Sequence, residues 1–226
     1  IIATTIDKKG FALARSNARE AGVAKQIKVT LKDARKRWPY KKGFIRFVYA
    51  RLSLHYLSRE KLKHAFSEMA RVSRPGAKLF IVVPSMKHAW ATPKGALQLY
   101  KKDPTLKPVW VRDTQGSGPG KIVDQQTGKI LWSFNPDSRL THFWDTDVKG
   151  FRKRQYMDAK TLEAYVTEAG FVVDPQGVWE TRDPTSTDWA REKKASHPSF
   201  QITLVATNAK KTSRAQSLGD SLETIH

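Results

Sequence analysis

Two apolar segments joined by an amphipathic one constrain the fold of this chain more than any other feature. Residues 45–54 and 78–84 are apolar with little alternation. A strand of that kind is covered on both faces, as in the parallel sheets of α/β proteins. Between them, apolar residues recur at helical spacing over Leu62–Met69, after Ser58, which is a favourable amino-terminal cap. The run therefore predicts a strand, a helix, a Pro-Gly turn at residues 75–76 and a second strand.

The same alternation of strands and helices continues on both sides of this run. The further predicted strands are residues 1–6, 26–31, 171–179 and 200–207, and the further predicted helices are residues 10–21 and 158–170. Asp158 can cap the last of these helices and Gly170 can end it. The pattern predicts one α/β domain.

Residues 86–155 interrupt this alternation and are rich in Trp, Pro, Gly and Lys. Short strands are predicted at residues 107–112, 121–123 and 129–134, with Thr127-Gly128 as a hairpin turn between the last two. The segment is either an insertion that contributes to specificity or a surface decoration.

The central run also resembles a known family. It reads Tyr49-Ala-Arg-Leu-Ser-Leu-His-Tyr-Leu57, then F-x-E-x-x-R-V-x-x-P-G over residues 66–76, then L-x-I-V-V-P-S over residues 79–85. This order resembles the fourth strand, the following helix and the fifth strand of class I S-adenosylmethionine-dependent methyltransferases.

The resemblance implies an α/β, Rossmann-like, doubly wound fold with a mostly parallel sheet, an antiparallel closing strand and a lid insertion. The core would comprise residues 1–85 and 156–208, the lid over the substrate residues 86–155, and a polar tail residues 209–226. Lids are expected there because parallel sheets place their sites beyond the carboxyl ends of the strands.

The resemblance also implies S-adenosylmethionine as the cofactor. The cofactor-binding candidates are Asp7, Lys8, Asp33, Ala34, Ala50 and Arg51. Asp7 would accept hydrogen bonds from the ribose hydroxyls, Asp33 would contact the adenine amino group, and Arg51 would lie beside the methionine part. The alternatives are a helix cap for Asp7, a turn residue for Asp33 and an ion pair with a nearby helix for Arg51.

Methyl transfer is an in-line displacement in which the cofactor carries the reactive carbon, so few obligatory catalytic side chains are expected. His55 is a candidate base, although a histidine at the apolar start of a helix can equally be a core residue. Tyr49, His142, Trp144 and Tyr156 are aromatic candidates for substrate contact.

The chain departs from the family's glycine-rich motif, which should end a strand before residue 1 and which lets backbone amides approach the cofactor. Because the sequence begins with Ile1 inside a predicted strand, we expect the translational start to lie upstream. Residues 115–121 (Gln-Gly-Ser-Gly-Pro-Gly-Lys) resemble the motif, but strand-like residues follow them, so a lid loop is predicted there.

A second departure is a change of charge. Lys41, Lys42 and Arg46 occupy positions at which the family is frequently acidic. They extend a basic run whose nucleic-acid-binding candidates are Lys32, Arg35, Lys36, Arg37, Lys41, Lys42 and Arg46. Such a run can neutralise phosphates, and the interleaved Trp38, Tyr40 and Phe44 could stack on unpaired bases. The alternative is a solvated turn with aromatic core residues.

The overall charge favours a polyanionic partner. The 226 residues include 41 Lys and Arg against 21 Asp and Glu, which gives a formal net charge of +20. We therefore expect RNA or a ribonucleoprotein as partner and substrate of a methyltransferase. The alternatives are a catalytically silent, structural RNA- or ribosome-binding or assembly factor with this fold, and a methyltransferase of small molecules.

The absence of cysteine excludes disulfides and cysteine-based metal sites, and we predict no metal site. With no apolar run long enough to span a membrane, we expect an intracellular protein of the cytoplasm or of an organelle matrix, without a membrane partner.

Overall fold

Helices separate most of the strands in the first 100 residues, and a run of consecutive strands follows. The structure, a computed structural model, describes residues 1–87, 91–112, 120–135, 140–145, 152–182 and 200–209, with the backbone alone for residues 135, 140, 142–145, 152–153, 182 and 200. The elements are β1 (Ile2–Thr5), α1 (Lys8–Glu20), β2 (Lys28–Leu31), β3 (Ile45–Arg51), a 3-10 helix (Leu54–Tyr56), α2 (Arg59–Val72), β4 (Ser73–Pro84), α3 (Pro93–Tyr100), β5 (Pro108–Val111), β6 (Lys121–Asp124), β7 (Ile130–Asn135), β8 (Leu140–Asp145), β9 (Arg152–Met157), α4 (Ala159–Glu168), β10 (Phe171–Arg182) and β11 (Phe200–Asn208).

Two sheets carry the α/β part of the molecule. Strands β1 and β2 pair in parallel, and a four-stranded sheet has the order β10-β11-β4-β3. Within it β3 and β4 are parallel, whereas β11 runs antiparallel to both of its neighbours. The predicted Rossmann-like fold class is confirmed, including the antiparallel closing strand.

One face of the four-stranded sheet packs on α2 and α4. Ser58 caps α2 by accepting a hydrogen bond from the Lys61 amide at 3.4 Å, as its residue type predicts. Apolar side chains at helical spacing on α2 then meet the inward-facing residues of the strands. The fully buried members of this core include Leu62, Phe66, Leu79, Ile81, Val83, Val166, Ile202 and Leu204.

The opposite face of the same sheet carries exposed aromatic side chains. Phe47 and Tyr49 of β3 are each 56% exposed, and Trp179 of β10 is 40% exposed. Phe80 lies between them, with ring centroids 5.5 Å from Tyr49 and 6.4 Å from Trp179. Because strand residues alternate in direction, these side chains point away from α2 and α4.

Strand β10 contains a bulge that keeps Val173 and Val178 on the core face of the sheet. Val173 pairs with Ala206 and Val178 with Leu204, so residues 174–177 stand opposite Val205 alone. A Cβ on Gly177 would lie 2.5 Å from the carbonyl oxygen of Val205, so only glycine fits this bulge. Val173 and Val178 both pack on the core despite their odd separation.

Two predicted boundaries need correction. The strand predicted at residues 45–54 ends at Arg51, because Leu52 adopts a positive φ of 47° and Leu54–Tyr56 form the 3-10 helix. The Pro-Gly turn predicted at residues 75–76 is a bulge within β4, in which Gly76 has a φ of 74°. In both places the chain leaves the regular strand conformation at a residue with a positive φ.

The region after α3 folds as a separate antiparallel sheet with the order β5-β6-β7-β8-β9. It packs with α3 around a second core that includes Tyr100, Ile122, Trp132 and Tyr156. A backbone hydrogen bond of 3.1 Å from the Met86 amide to the Met157 carbonyl joins this region to the end of β4. The predicted turn at Thr127-Gly128 is confirmed, whereas most of the glycine pattern at 115–121 lies outside the described residues.

No helix in the described ranges is long and apolar enough to cross a membrane.

Candidate functional site

A cavity of about 420 Å³ lies where β1 and β2 end. Its walls come from the ends of both strands and from the loop that leads away from β2 towards β3. The lining residues are Thr4, Ile6, Leu31, Lys32, Asp33, Ala34, Lys36, Arg37, Trp38, Pro39 and Tyr40. Apolar, aromatic, acidic and basic groups therefore converge at the carboxyl ends of two parallel strands, where α/β sheets bind their ligands.

Asp33 is the acidic residue of this cavity. Its carboxylate accepts hydrogen bonds of 2.9 and 3.0 Å from Arg35 Nε and one of 2.8 Å from Arg35 Nη2. These bonds hold the pKa of Asp33 below its usual value, so the carboxylate is ionised at neutral pH. Ala34, next in the chain, accepts a 3.5 Å hydrogen bond from Trp38 Nε1 through its carbonyl oxygen.

Asp7 lies at the same edge of the sheet as Asp33 but does not line the cavity. Thr5 pairs with Leu31 in register, so each aspartate follows its strand by two residues. The Asp7 carboxylate caps α1 by accepting hydrogen bonds from the amides of Lys9 at 3.3 Å and Gly10 at 2.7 Å. It is exposed, as is Lys8 beside it, and a carboxylate that caps a helix retains further lone pairs for a ligand.

The candidates from β3 and the 3-10 helix lie in different surroundings in the structure. Ala50 is buried in the main core, Arg51 is exposed at the end of β3, and Tyr49 lies on the open face of the sheet. His55 is only 2% exposed, with its ring centroid 4.1 Å from that of Tyr56. The guanidinium of Arg154 from β9 lies 5.6 Å from the Tyr56 ring centroid.

The structure describes the side chain of one of the three aromatic candidates on β8 and β9, which is Tyr156. Tyr156 is fully buried in the second core, where it serves packing. His142 and Trp144 lie on β8, and their side chains are outside the described part of the structure.

The basic run divides into two groups. Lys32, Lys36 and Arg37 line the cavity and Arg35 binds Asp33, whereas Lys41, Lys42 and Arg46 lie near the start of β3. All seven side chains are exposed. Because β3 starts at the end of the sheet opposite to the carboxyl edge, the run extends along the length of the strands.

The aromatic residues interleaved with this run differ in burial. Trp38 packs against the main core. Phe44 is 59% exposed and stacks on Tyr40 with ring centroids 6.3 Å apart and an interplanar angle of 13°. Of the three predicted stacking residues, Trp38 is therefore partly buried against the core and Phe44 is open to solvent.

Two polar clusters were not predicted from the sequence as parts of a site. Glu68 and Arg71 of α2 bind the backbone of the loop between β2 and β3 that lines the cavity, which we call the cavity loop. Glu180 at the end of β10 accepts hydrogen bonds from Ser85 and Lys87 at the end of β4. Burial pushes the pKa of Glu180 upward, but the hydrogen bonds from Lys87 and Ser85 bring it below its usual value.

The signal for Glu68 and Arg71 was present in the motif F-x-E-x-x-R, which places the two side chains one helical turn apart. No group of three or more histidine or acidic side chains that could hold a metal ion occurs among the residues that the structure describes.

Residues 1–76 match the family model described as a methyltransferase domain. No curated protein sequence matches the chain.

Solved structures of similar fold cover most of the chain. A SAM-dependent methyltransferase from Methanosarcina mazei aligns with a TM-score of 0.57 and 16% identity, over 93% of this chain and 82% of that chain. An S-adenosylmethionine-dependent methyltransferase from Mesorhizobium loti aligns with a TM-score of 0.55 and 19% identity, over 91% and 79%. The cyclase SpnF aligns with a TM-score of 0.53 and 16% identity, over 93% and 67%. At these identities the solved structures establish the fold.

The fold and the cavity at its carboxyl edge define a Rossmann-like α/β protein. Residues 1–76 are therefore similar to a methyltransferase domain, and the solved structures that share this fold include S-adenosylmethionine-dependent methyltransferases.

Proposed function

We propose that this protein is an S-adenosylmethionine-dependent methyltransferase that binds the adenosine part of its cofactor in the cavity beyond β1 and β2. The observation that carries the proposal is the convergence of Ile6, Leu31, Asp33 and Trp38 on one cavity of about 420 Å³. An adenine ring presents apolar faces and an amino group that donates hydrogen bonds. An ionised Asp33 is an acceptor for such an amino group, and the apolar and aromatic walls suit the ring.

When bound, S-adenosylmethionine supplies an electrophilic methyl carbon whose bond to sulfur breaks as a bond to the acceptor forms. The protein's contribution would be to bind and orient the reactants and to exclude water, so few obligatory catalytic side chains are needed. Asp33 would fix the adenosine end, and Asp7 at the same sheet edge would accept from the ribose hydroxyls. His55 lies under the surface beside Tyr56, where its role would be to shape the site.

RNA or a ribonucleoprotein is the acceptor class that we favour. Support comes from the formal charge of +20 and from the exposure of Lys41, Lys42 and Arg46 along the sheet. Phe44, exposed and stacked on Tyr40, offers a surface on which an unpaired base can stack. Exposed basic side chains beside an exposed aromatic ring suit single-stranded nucleic acid, because the cations neutralise phosphates and the ring can stack on an unpaired base.

A catalytically silent RNA-binding factor is the second candidate. It is favoured by the basic residues at Lys41, Lys42 and Arg46, and by the inclusion of a cyclase among proteins of the same fold. A fold of this kind therefore does not by itself specify methyl transfer. If the unaltered protein binds RNA but does not bind S-adenosylmethionine, this second candidate is favoured.

The test is calorimetric titration of the full-length protein with S-adenosylhomocysteine, the demethylated product. Asp33→Asn should weaken binding by roughly ten- to a hundredfold, because a hydrogen bond to a charged group contributes about 1.5 to 3 kcal/mol. Asp103→Asn is the matched control, because Asp103 is also a turn aspartate that accepts a backbone hydrogen bond, from Thr105 at 2.9 Å, and it does not line the cavity. Absence of binding by the unaltered protein would remove the proposal.

A further inference from the structure

Two side chains of α2 hold the backbone of the cavity loop. The Trp38 amide donates to Glu68 Oε2 at 2.7 Å. Arg71 donates through Nη2 to the Trp38 carbonyl and through Nη1 to the Tyr40 carbonyl, both at 2.9 Å. Three backbone groups of an irregular loop thus find their partners on one face of a helix.

The two side chains also bind each other. Arg71 donates to Glu68 through Nε and Nη2, with both distances 2.7 Å. A guanidinium is planar and presents several donors at fixed angles, so Arg71 can serve one carboxylate and two carbonyls together. A lysine ammonium at this position could keep the charge but not this geometry.

The pair is charged and largely withdrawn from solvent. Glu68 is 8% exposed, and its hydrogen bonds from Arg71 lower its pKa to about 2. Both groups therefore keep their charges throughout the physiological range. Removing Arg71 would leave the nearly buried carboxylate of Glu68 without its counter-ion, and the carbonyl groups of Trp38 and Tyr40 would lose their donor.

The loop residues held in this way are a wall of the cavity. Trp38, Pro39 and Tyr40 all line it, whereas Glu68 and Arg71 do not. The pair can therefore act on a ligand only through the loop. The Gly43 amide, which donates to the Arg71 carbonyl at 3.1 Å, adds a further attachment at the far end of the same loop.

We propose that Glu68 and Arg71 are positioning residues that set the affinity of the cavity for an adenosine-containing ligand by fixing the Trp38–Tyr40 wall. The inference rests on the proposed function for the identity of the ligand, but the fixing of the wall can be measured without one. It also gives a physical role to F-x-E-x-x-R, because residues three apart on a helix reach the same loop.

The experiment compares Arg71→Lys, Glu68→Gln and the double variant with the unaltered full-length protein. Lys63→Gln is the matched control, because it removes a cation from the same helix that pairs at 2.8 Å with Glu168 of α4, away from the loop. Hydrogen exchange of the peptide covering residues 36–42 reports the wall, and calorimetry with S-adenosylhomocysteine reports affinity. Circular dichroism confirms that each variant is folded.

Arg71→Lys and Glu68→Gln should each speed exchange of the Trp38 amide by tenfold or more and weaken the ligand by tenfold or more. The double variant should lose little beyond either single variant, because the two side chains act as one unit. Lys63→Gln should change neither quantity. A global loss of stability would speed exchange across the core as well, so faster exchange confined to residues 36–42 identifies positioning.

The outcomes separate this inference from the proposed function. Unchanged exchange in both single variants, or faster exchange with unchanged affinity, would overturn the positioning role while leaving the cofactor proposal intact. An unaltered protein that does not bind S-adenosylhomocysteine would overturn the proposed function, and the affinity part of the inference with it. In that case the exchange measurement still decides whether the pair fixes the loop.

Discussion

The two faces of the four-stranded sheet are made by the same strands, yet they differ in what covers them. On one face Leu79 and Ile81 are fully buried beneath α2 and α4. On the other, Tyr49 and Trp179 are exposed around the half-buried Phe80. An apolar strand pattern thus predicts that both faces can be covered, whereas the packed helices show which face is covered within this chain.

The difference has an energetic consequence. Burial of apolar area stabilises a fold only where water is removed, at roughly 25 cal/mol per Å². The covered face should therefore account for most of the stability of the sheet, and the aromatic face should be available for contacts with other groups.

The largest effect is expected on the covered face. Leu79→Ala removes a fully buried side chain from the centre of the core, and it should destabilise the protein by about 2 to 5 kcal/mol. Denaturant unfolding followed by circular dichroism measures the change. A loss well under 1 kcal/mol would show that this face is not the main source of stability.

A smaller effect is expected from protonation of Glu68, at the margin of the covered face. Its pKa is about 2 in the folded protein against an ordinary value of 4.5. The unfolded state therefore binds the proton more readily, and the stabilisation that is fully present above about pH 5 is lost as the pH falls towards 2. The loss should be on the order of 2 to 3 kcal/mol. Unfolding measured between pH 6 and pH 2.5 should show a shallower decline for Glu68→Gln.

On the open face a single substitution should cost little. Tyr49→Ser removes a side chain that is more than half exposed, so the free energy of unfolding should fall by less than about 1 kcal/mol. The same denaturant measurement on the full-length protein checks it. A cost comparable with that of Leu79→Ala would mean that this face is covered in the full-length protein.

The smallest effect on stability is expected from reversing Lys41, Lys42 and Arg46 to glutamate, since all three are exposed. If they contact RNA phosphates, the slope of log affinity against log salt should become shallower by roughly two to three contacts. Fluorescence anisotropy with single-stranded RNA across a salt series measures the slope. Binding of S-adenosylhomocysteine should persist in this variant, and an unchanged slope would reject the phosphate contacts.

Much of the core could be predicted from the sequence because local signals agreed with one another. Ser58 and Asp158 cap the helices that they were predicted to cap, and Gly170 ends the second of them with a φ of 98°. Apolar residues at helical spacing then fall on the buried face of α2. Such signals act within a few residues, so a sequence shows them directly.

The contacts of the candidate site were less predictable because they join distant positions. Trp38 and Glu68 are 30 residues apart, and only the fold shows that the amide of one meets the carboxylate of the other. Tyr156 carried the aromatic pattern of a substrate contact, but its cross-strand neighbours place it in the second core. Residue type indicates what a side chain can do, and tertiary packing determines what it meets.

The bulge in β10 has a consequence for changes in chain length. Val173 and Val178 are five residues apart, and the bulge lets both of them pack on the core. Deleting one residue from 174–176 would leave them four apart, a spacing at which ordinary alternation already places both on the same face. The same deletion beyond the bulge, at Trp179, would move Glu180 to the opposite face and away from Ser85. The bulge is therefore the place in this strand where the loss of one residue leaves the two faces of the sheet unchanged.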